Sequence, residues 1–229
     1  MRYTHDKRYP GEDDAYRAAR NALLQAELEL DAKVNEVAAL RRRLPDGGRV
    51  KEDYVLRTID DGAERDIRLS ELFAPGKDSL FLYSFMWGPR MRKPCPMCSS
   101  MIDGLNGVGD HISDRVNVAV VAKYPIRRIM EVADARGWSK LRFLSSADSG
   151  YNDDYFATGE NGSQLPAANV FVRRPDGIRH FWGAEMLYVD RPEQPRHVDR
   201  IWPIWNLFDL TPEGRGTDWY PKLDYGSDA

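Results

Sequence analysis

The chain has 229 residues, with 33 Lys and Arg against 36 Asp and Glu, for a formal net charge of −3. That length buries a core of ordinary size, and the near-even charge gives no reason to expect nucleic acid or an anionic membrane as partner. The longest apolar run, Val116 to Ala122, is strand-sized and far short of the roughly 20 residues of a membrane span.

The amino end, "MRYTHDKRYPGEDD", is polar and lacks the apolar centre of a secretory signal, so a reducing cytoplasm is the expected compartment. From Asp13 to Leu44 the residues predict one long helix. Tyr16, Leu23, Leu30, Val37 and Leu44 recur every seven residues, with Ala19, Ala26 and Leu40 three residues after members of the series. Such spacing makes a narrow apolar seam, suited to a homodimer or to an arm packed on its own domain. "LPDGG" stops it, so residues 1–50 are expected to form a helical arm and 51–229 the main domain.

A two-stranded lead-in is expected next: a strand near Tyr54 to Ile59, a turn at "DDGA", and a short helix near Leu69 to Phe73. "SLFLYSF" (Ser79 to Phe85) is nearly all apolar, as a strand covered on both faces should be. Met97, Met101, Leu105, Val108 and Ile112 then mark one face of a single helix, weakened by Gly104, Gly107 and Gly109. "NVAVVA" (Asn117 to Ala122) is a second buried strand, and Pro125 opens a helix carrying Ile126, Ile129, Met130 and Ala133 on one side. Leu141 to Ser146 is a third strand. Asn169 to Trp182 forms a hairpin about a Pro-Asp-Gly turn, and a last helix bends at Pro203. Strand–helix alternation followed by a hairpin predicts an α/β fold: a mixed central sheet with helices on both faces.

The two cysteines fall in "WGPRMRKPCPMCSS" (Trp87 to Ser100), where the first core strand ends and its helix begins. At a helix start, free backbone N–H groups and the helix dipole favour a thiolate, and Arg90, Arg92 and Lys93 add positive charge nearby in sequence. Cys98 lies almost one turn beyond Cys95, within reach of a disulfide. Pro96 sits in the first turn, where its missing N–H costs little. Trp87 is a candidate wall of an apolar pocket beside Cys95. The implied cycle has Cys95 attack a disulfide or a peroxide, Cys98 resolve the adduct, and a thiol reductant restore the pair. Two other readings stand beside it. Zinc needs about four ligands, and after Cys95, Cys98 and His111 the remaining His5, His180 and His197 are scattered; no metal and no cofactor are expected. An inert buried pair in a non-catalytic interaction module is the other.

Four blocks carry a resemblance: "FMWGPRMRKPCPMCSSMIDGLNG", "YRAARNALLQAELELDAKVNEVAALRRRLP", "SSADSGYNDDYFATGE" and "DLTPEGRG". They are similar to the corresponding blocks of a bacterial thioredoxin-like family, domain of unknown function eight-nine-nine, predicted to contain dithiol–disulfide oxidoreductases. The resemblance runs from about Tyr16 to Gly216. It implies a thioredoxin-like three-layer fold with an N-terminal helical arm, Cys95 attacking and Cys98 resolving. Ordinary thioredoxins place a cis-proline before the hairpin, facing the disulfide. The matching position here falls near Ala168 or Asn169, and the nearest proline is Pro166. Between strand and hairpin, Ser146 to Pro166 is long for a connection; Tyr151 and Tyr155 are candidates for a lid over the cysteines.

Overall fold

The computed structural model describes residues 5–190 and 198–226, so His197 lies outside the described residues. The chain divides into two units, Met1–Pro45 and Asp46–Ala229.

The first unit is one helix, α1 (Asp14–Arg42). Asp13 caps it by accepting a hydrogen bond from the Tyr16 N–H at 2.7 Å, satisfying one of the donors that a helix start leaves free. Arg41 and Arg42 occupy its last turn, where the dipole favours cations. The seam is open: Tyr16, Leu23, Leu30, Leu40 and Leu44 are exposed, Leu30 at 57%.

The second unit begins with a stretch that joins the sheet. Val50 donates to Ile178, and Gly48 accepts from His180, so residues 48–50 run beside the last strand. β1 (Val55–Asp60) and β2 (Ala63–Arg68) form the expected lead-in hairpin, closed by a 3₁₀ turn at Leu69–Leu72. β3 (Ser79–Ser84) leads to the cysteine helix, α2 (Pro96–Gly107). There follow α3 (Gly109–Arg115), β4 (Asn117–Ala122), α4 (Ile126–Ala135) and β5 (Arg142–Ser145). The short α5 (Tyr151–Asp154) precedes the hairpin β6 (Ala167–Arg174) and β7 (Gly177–Gly183). α6 (Pro203–Phe208) comes last.

The seven strands lie in the order β2-β1-β5-β4-β3-β6-β7. β3, β4 and β5 are parallel, as their helical crossovers require. β6 and β7 add antiparallel to β3 on one side, and β1 and β2 antiparallel to β5 on the other. This is a thioredoxin-like mixed sheet, with a long N-terminal helix in the other unit. Because strand side chains alternate, β3 sends Phe81 and Tyr83 to one face and Leu80 and Leu82 to the other. Residues of α2 and α4 pack on the Tyr83 face. The Leu82 face is covered by Leu69 and Leu72 of the 3₁₀ turn and by Tyr151 of α5, with Tyr54, Ile67 and Phe171. The expectation of helices on both faces is therefore met unequally: one face has full helices, the other single turns.

Three other expectations change. The helix after the cysteines is two helices, broken at Val108, which is 47% exposed. Gly109 sits so close to Lys140 that an added Cβ would lie 2.7 Å from the Lys140 Cβ, so the chain turns there to fit beneath the start of β5. The Ser146–Pro166 segment holds the turn of helix α5 and a Thr158–Gln164 bridge rather than an irregular insertion. Pro203 opens α6 at its first turn instead of bending a longer helix, consistent with its fixed φ. Among the described residues no helix is long and apolar enough to cross a membrane.

Candidate active site

β3 ends at Ser84, but Phe85 still donates to Val121 at 2.8 Å. The chain then leaves the sheet, and the Cys95 N–H returns to the Met86 carbonyl at 3.1 Å. That bond closes the Trp87–Pro94 excursion at its neck and delivers Cys95 to the helix start. Cys95 is the N-cap of α2 with an extended backbone, and Pro96 follows as the first helical residue. The Cys95 carbonyl accepts from both the N–H and the hydroxyl of Ser99, each at 3.0 Å. Farther along α2, Asp103 accepts from the Trp138 indole at 2.7 Å and from Arg136. The helix that carries the sulfurs is thereby fixed to the turn after α4.

Both cysteines are free thiols and both are buried, Cys95 at 5% exposure and Cys98 at 2%. Their electrostatics differ. The Cys95 pKa is brought down to about 6, first by the hydrogen bond from the Cys98 thiol. Burial opposes this; the N–H groups of Cys98 and Met97 and the Tyr220 hydroxyl add to it. Cys98 is held well above the usual thiol range, by burial first and then by giving its hydrogen bond to Cys95. The Tyr83 hydroxyl, itself fully buried and pushed up by burial, lies near Cys98 and offsets part of that rise. Tyr220 is pushed up to about 12 by burial and then by the charge on Cys95. The site therefore separates one thiolate from one thiol, set side by side.

Trp87 packs in the same core as both cysteines at 3% exposure. Its ring stacks on Tyr124 at 4.3 Å between centroids and leans on Phe85. Arg92 and Lys93 are exposed, and the interactions that lower the Cys95 pKa come from Cys98, Met97 and Tyr220. Nearness in sequence to these cations does not become contact, because the excursion carries them outward. Pro166 belongs to a trans peptide, since no described bond is cis. The β6 residue in the cysteine core is Ala168, paired with Tyr83; Asn169 pairs with Leu82 and turns to the opposite face, where it bonds His180.

The lid reading fails for the tyrosines. Tyr151 is fully buried in the second core and Tyr155 packs against it, with Tyr54 and Phe171 as neighbours. The segment touches the excursion elsewhere: Arg90 donates to the Asn161 carbonyl, and Gly88 lies against the Gln164 side chain. The residues that sequence reasoning missed are Tyr83 and Tyr220. Tyr83 had a signal, since it shares the Phe81–Phe85 face of β3 and must partner its hydroxyl once buried. Tyr220 had none, because only the folded tail brings it to the sulfur. Among the described residues no group of three or more His, Cys, Asp or Glu side chains is placed to hold a metal ion.

A family model described as a bacterial protein of unknown function, DUF899, matches residues 7–225. No curated protein matches the chain. Among solved structures, the chain is similar to a Plasmodium yoelii thioredoxin peroxidase I at 16% identity and TM-score 0.47, covering 78% of this chain and 100% of that one. It is similar to Enterococcus faecalis AhpC at 15% identity and TM-score 0.45, covering 77% and 98%. A third similarity is to the peroxidoxin BcpB of Mycobacterium tuberculosis, at 18% identity and TM-score 0.43, covering 70% and 96%.

Proposed function

We propose that this chain, which belongs to the DUF899 family of bacterial proteins, is a two-cysteine thiol redox enzyme acting on a small peroxide or small-molecule disulfide. The observation that carries the reading is the unequal pair: Cys95 poised as thiolate at about 6, Cys98 kept as thiol beside it. Nucleophilic attack needs a thiolate, and a resolving thiol is best kept protonated until the first step is done.

With a peroxide, the Cys95 sulfur takes the terminal oxygen, becomes a sulfenic acid and releases an alcohol or water. Cys98 gives up its proton, attacks the Cys95 sulfur and expels water, leaving the Cys95–Cys98 disulfide. With a disulfide, Cys95 forms a mixed disulfide and releases one thiol, and Cys98 displaces the second. Either route oxidises the pair by two electrons, and an external thiol reductant returns them. A small substrate is favoured because Cys95 is 5% exposed and the β6 residue in its core is Ala168 rather than a proline. A second copy of the chain on the α1 seam is the proposed quaternary partner, and the cytoplasm the proposed compartment.

The burial of both sulfurs is also what a non-catalytic module would have, and one experiment separates the two. Reduced protein is mixed with hydrogen peroxide or a small aromatic disulfide, quenched, and its cysteines mapped by mass spectrometry. The proposal expects a Cys95–Cys98 bond formed in step with substrate loss and no turnover in Cys95→Ser. Unchanged thiols, or full activity in Cys95→Ser, would leave the interaction module as the reading.

A further inference from the structure

The segment around and after α6 runs back along the cysteine helix. Trp202, at its start, is buried and gives its indole N–H to the Ser100 hydroxyl of α2 at 3.2 Å. Arg215 is clamped by Asp209 and by Asp199, each at 2.6 Å. On either side of it Gly214 and Gly216 take positive φ, 59° and 63°, a region that glycine enters without steric cost. The chain turns there and comes back.

Trp219 then packs edge to face on Phe208 at 4.9 Å and on Trp205 at 5.5 Å. Tyr220 comes beside the Cys95 sulfur. Pro221 is buried, and the Leu223 carbonyl accepts from Arg136 at 2.8 Å. The same guanidinium holds Asp103 of α2. These contacts lay residues 219–223 across the helix that carries both cysteines, with Tyr220 at the sulfur end.

The consequence is one of access. Cys95 lies just past the carboxyl end of β3, the edge where open α/β sheets take ligands. Yet Cys95 is 5% exposed, whereas Tyr220 beside it is 49% exposed. The phenol has solvent on one side and the sulfur on the other, the place of a cover rather than of a core residue. A surface segment of this kind opens locally at far less cost than unfolding the sheet beneath it.

We propose that Tyr220 and Pro221 form a size filter over Cys95. Hydrogen peroxide and other small oxidants reach the sulfur with the segment in place; bulky oxidants, protein disulfides among them, react only when it lifts. This rests on the thiol reading above and names the residues that set its substrate class.

The test uses the full reduced chain and two maleimides of unequal size, N-methylmaleimide and fluorescein-5-maleimide, with adducts at Cys95 mapped by mass spectrometry. Tyr220→Phe and Tyr220→Ala both lose the hydroxyl, and only Tyr220→Ala opens the filter. A reagent that needs the open state reacts in proportion to its population, so the ratio of bulky to small rate should rise about tenfold in Tyr220→Ala and stay within about twofold in Tyr220→Phe. Cumene hydroperoxide against hydrogen peroxide should follow the same order. An unchanged ratio in Tyr220→Ala, or an equal rise in Tyr220→Phe, overturns the filter. Should Tyr220→Ala fail to fold, Arg136→Ala decides by the same ratio, since it releases Leu223 while Trp138 still holds Asp103. Failure of the thiol reading shows separately, as no oxidation of Cys95 by hydrogen peroxide in a protein whose maleimide ratio still responds to Tyr220→Ala.

Discussion

The Tyr220 hydroxyl, on the carboxyl-terminal segment, lies near enough to the sulfur of Cys95 at the start of α2 to help lower its pKa, and the charge on Cys95 in turn raises that of Tyr220. The phenol is half exposed, so it joins a buried nucleophile to solvent. Tyr220→Phe removes the donor and keeps the ring. The Cys95 pKa should rise by roughly half a unit to one unit, as loss of one hydrogen bond to a charged form predicts. Iodoacetamide rates against pH measure it; an unchanged profile would remove Tyr220 from the site.

The two cysteines should fail differently. Cys95→Ser should abolish substrate turnover. Cys98→Ser should still react once, leaving a sulfenic acid or mixed disulfide on Cys95 that dimedone labelling or intact mass detects. Cys98→Ala, which removes the donor that is the largest influence on Cys95, should also raise the Cys95 pKa and slow that single event at neutral pH.

Stability should follow the same pair. Cys95 has a folded pKa of about 6 against an ordinary value of 9.0, so its contribution is present above 9 and lost as pH falls through 6. Cys98 shifts upward from the same ordinary value, so its contribution is present below 9 and lost at higher pH. Urea unfolding of reduced protein at pH 5, 7 and 8.5, compared with Cys95→Ser, should show the wild-type advantage growing across that series. A constant difference would contradict the thiolate.

The break between α2 and α3 makes opposite predictions for two glycines. A Cβ at Gly107 meets nothing within 4 Å, and the position is helical, so Gly107→Ala should stabilise by about 0.5–1 kcal/mol. At Gly109 the added atom would press on the Lys140 Cβ at 2.7 Å and its carbonyl at 3.2 Å. Gly109→Ala should cost about 1–3 kcal/mol, read as a lower melting temperature.

The exposed seam on α1 predicts a dimer. Sedimentation of the full chain should give twice the monomer mass at micromolar concentration, and Leu23→Glu with Leu30→Glu should halve it. A monomer for the unsubstituted chain would leave the seam without a second copy.

Much of the sheet was legible because its signals are local. "SLFLYSF" and "NVAVVA" are apolar at consecutive positions, and a Pro-Asp-Gly turn needs only its own residues. The placing of Cys95 at the junction after β3 followed from the same patterns. What failed depended on distant contacts. Val108 fits the helical period, yet the helix breaks there because Gly109 must pass under Lys140. Tyr151 resembled a loop aromatic until Phe171 and Tyr54 supplied its core. Asn169 and Ala168 were both eligible to face the sulfurs, and strand register against Leu82 and Tyr83 chose between them. Arg92 and Lys93 are next to Cys95 along the chain yet exposed, whereas the sulfur is buried.

The neck bond between Cys95 and Met86 has a consequence for how such a site can diversify. Sulfur position is set by two residues on the sheet side of the neck, whereas Pro89, Arg92 and Lys93 are exposed beyond it and Arg90 reaches the Asn161 carbonyl. The exposed part works as a faceplate: the charge at Arg92 and Lys93 can change while the reacting atom stays where β3 and α2 put it. Relatives could then meet different oxidants by altering the faceplate alone, with the chemistry beneath it inherited intact.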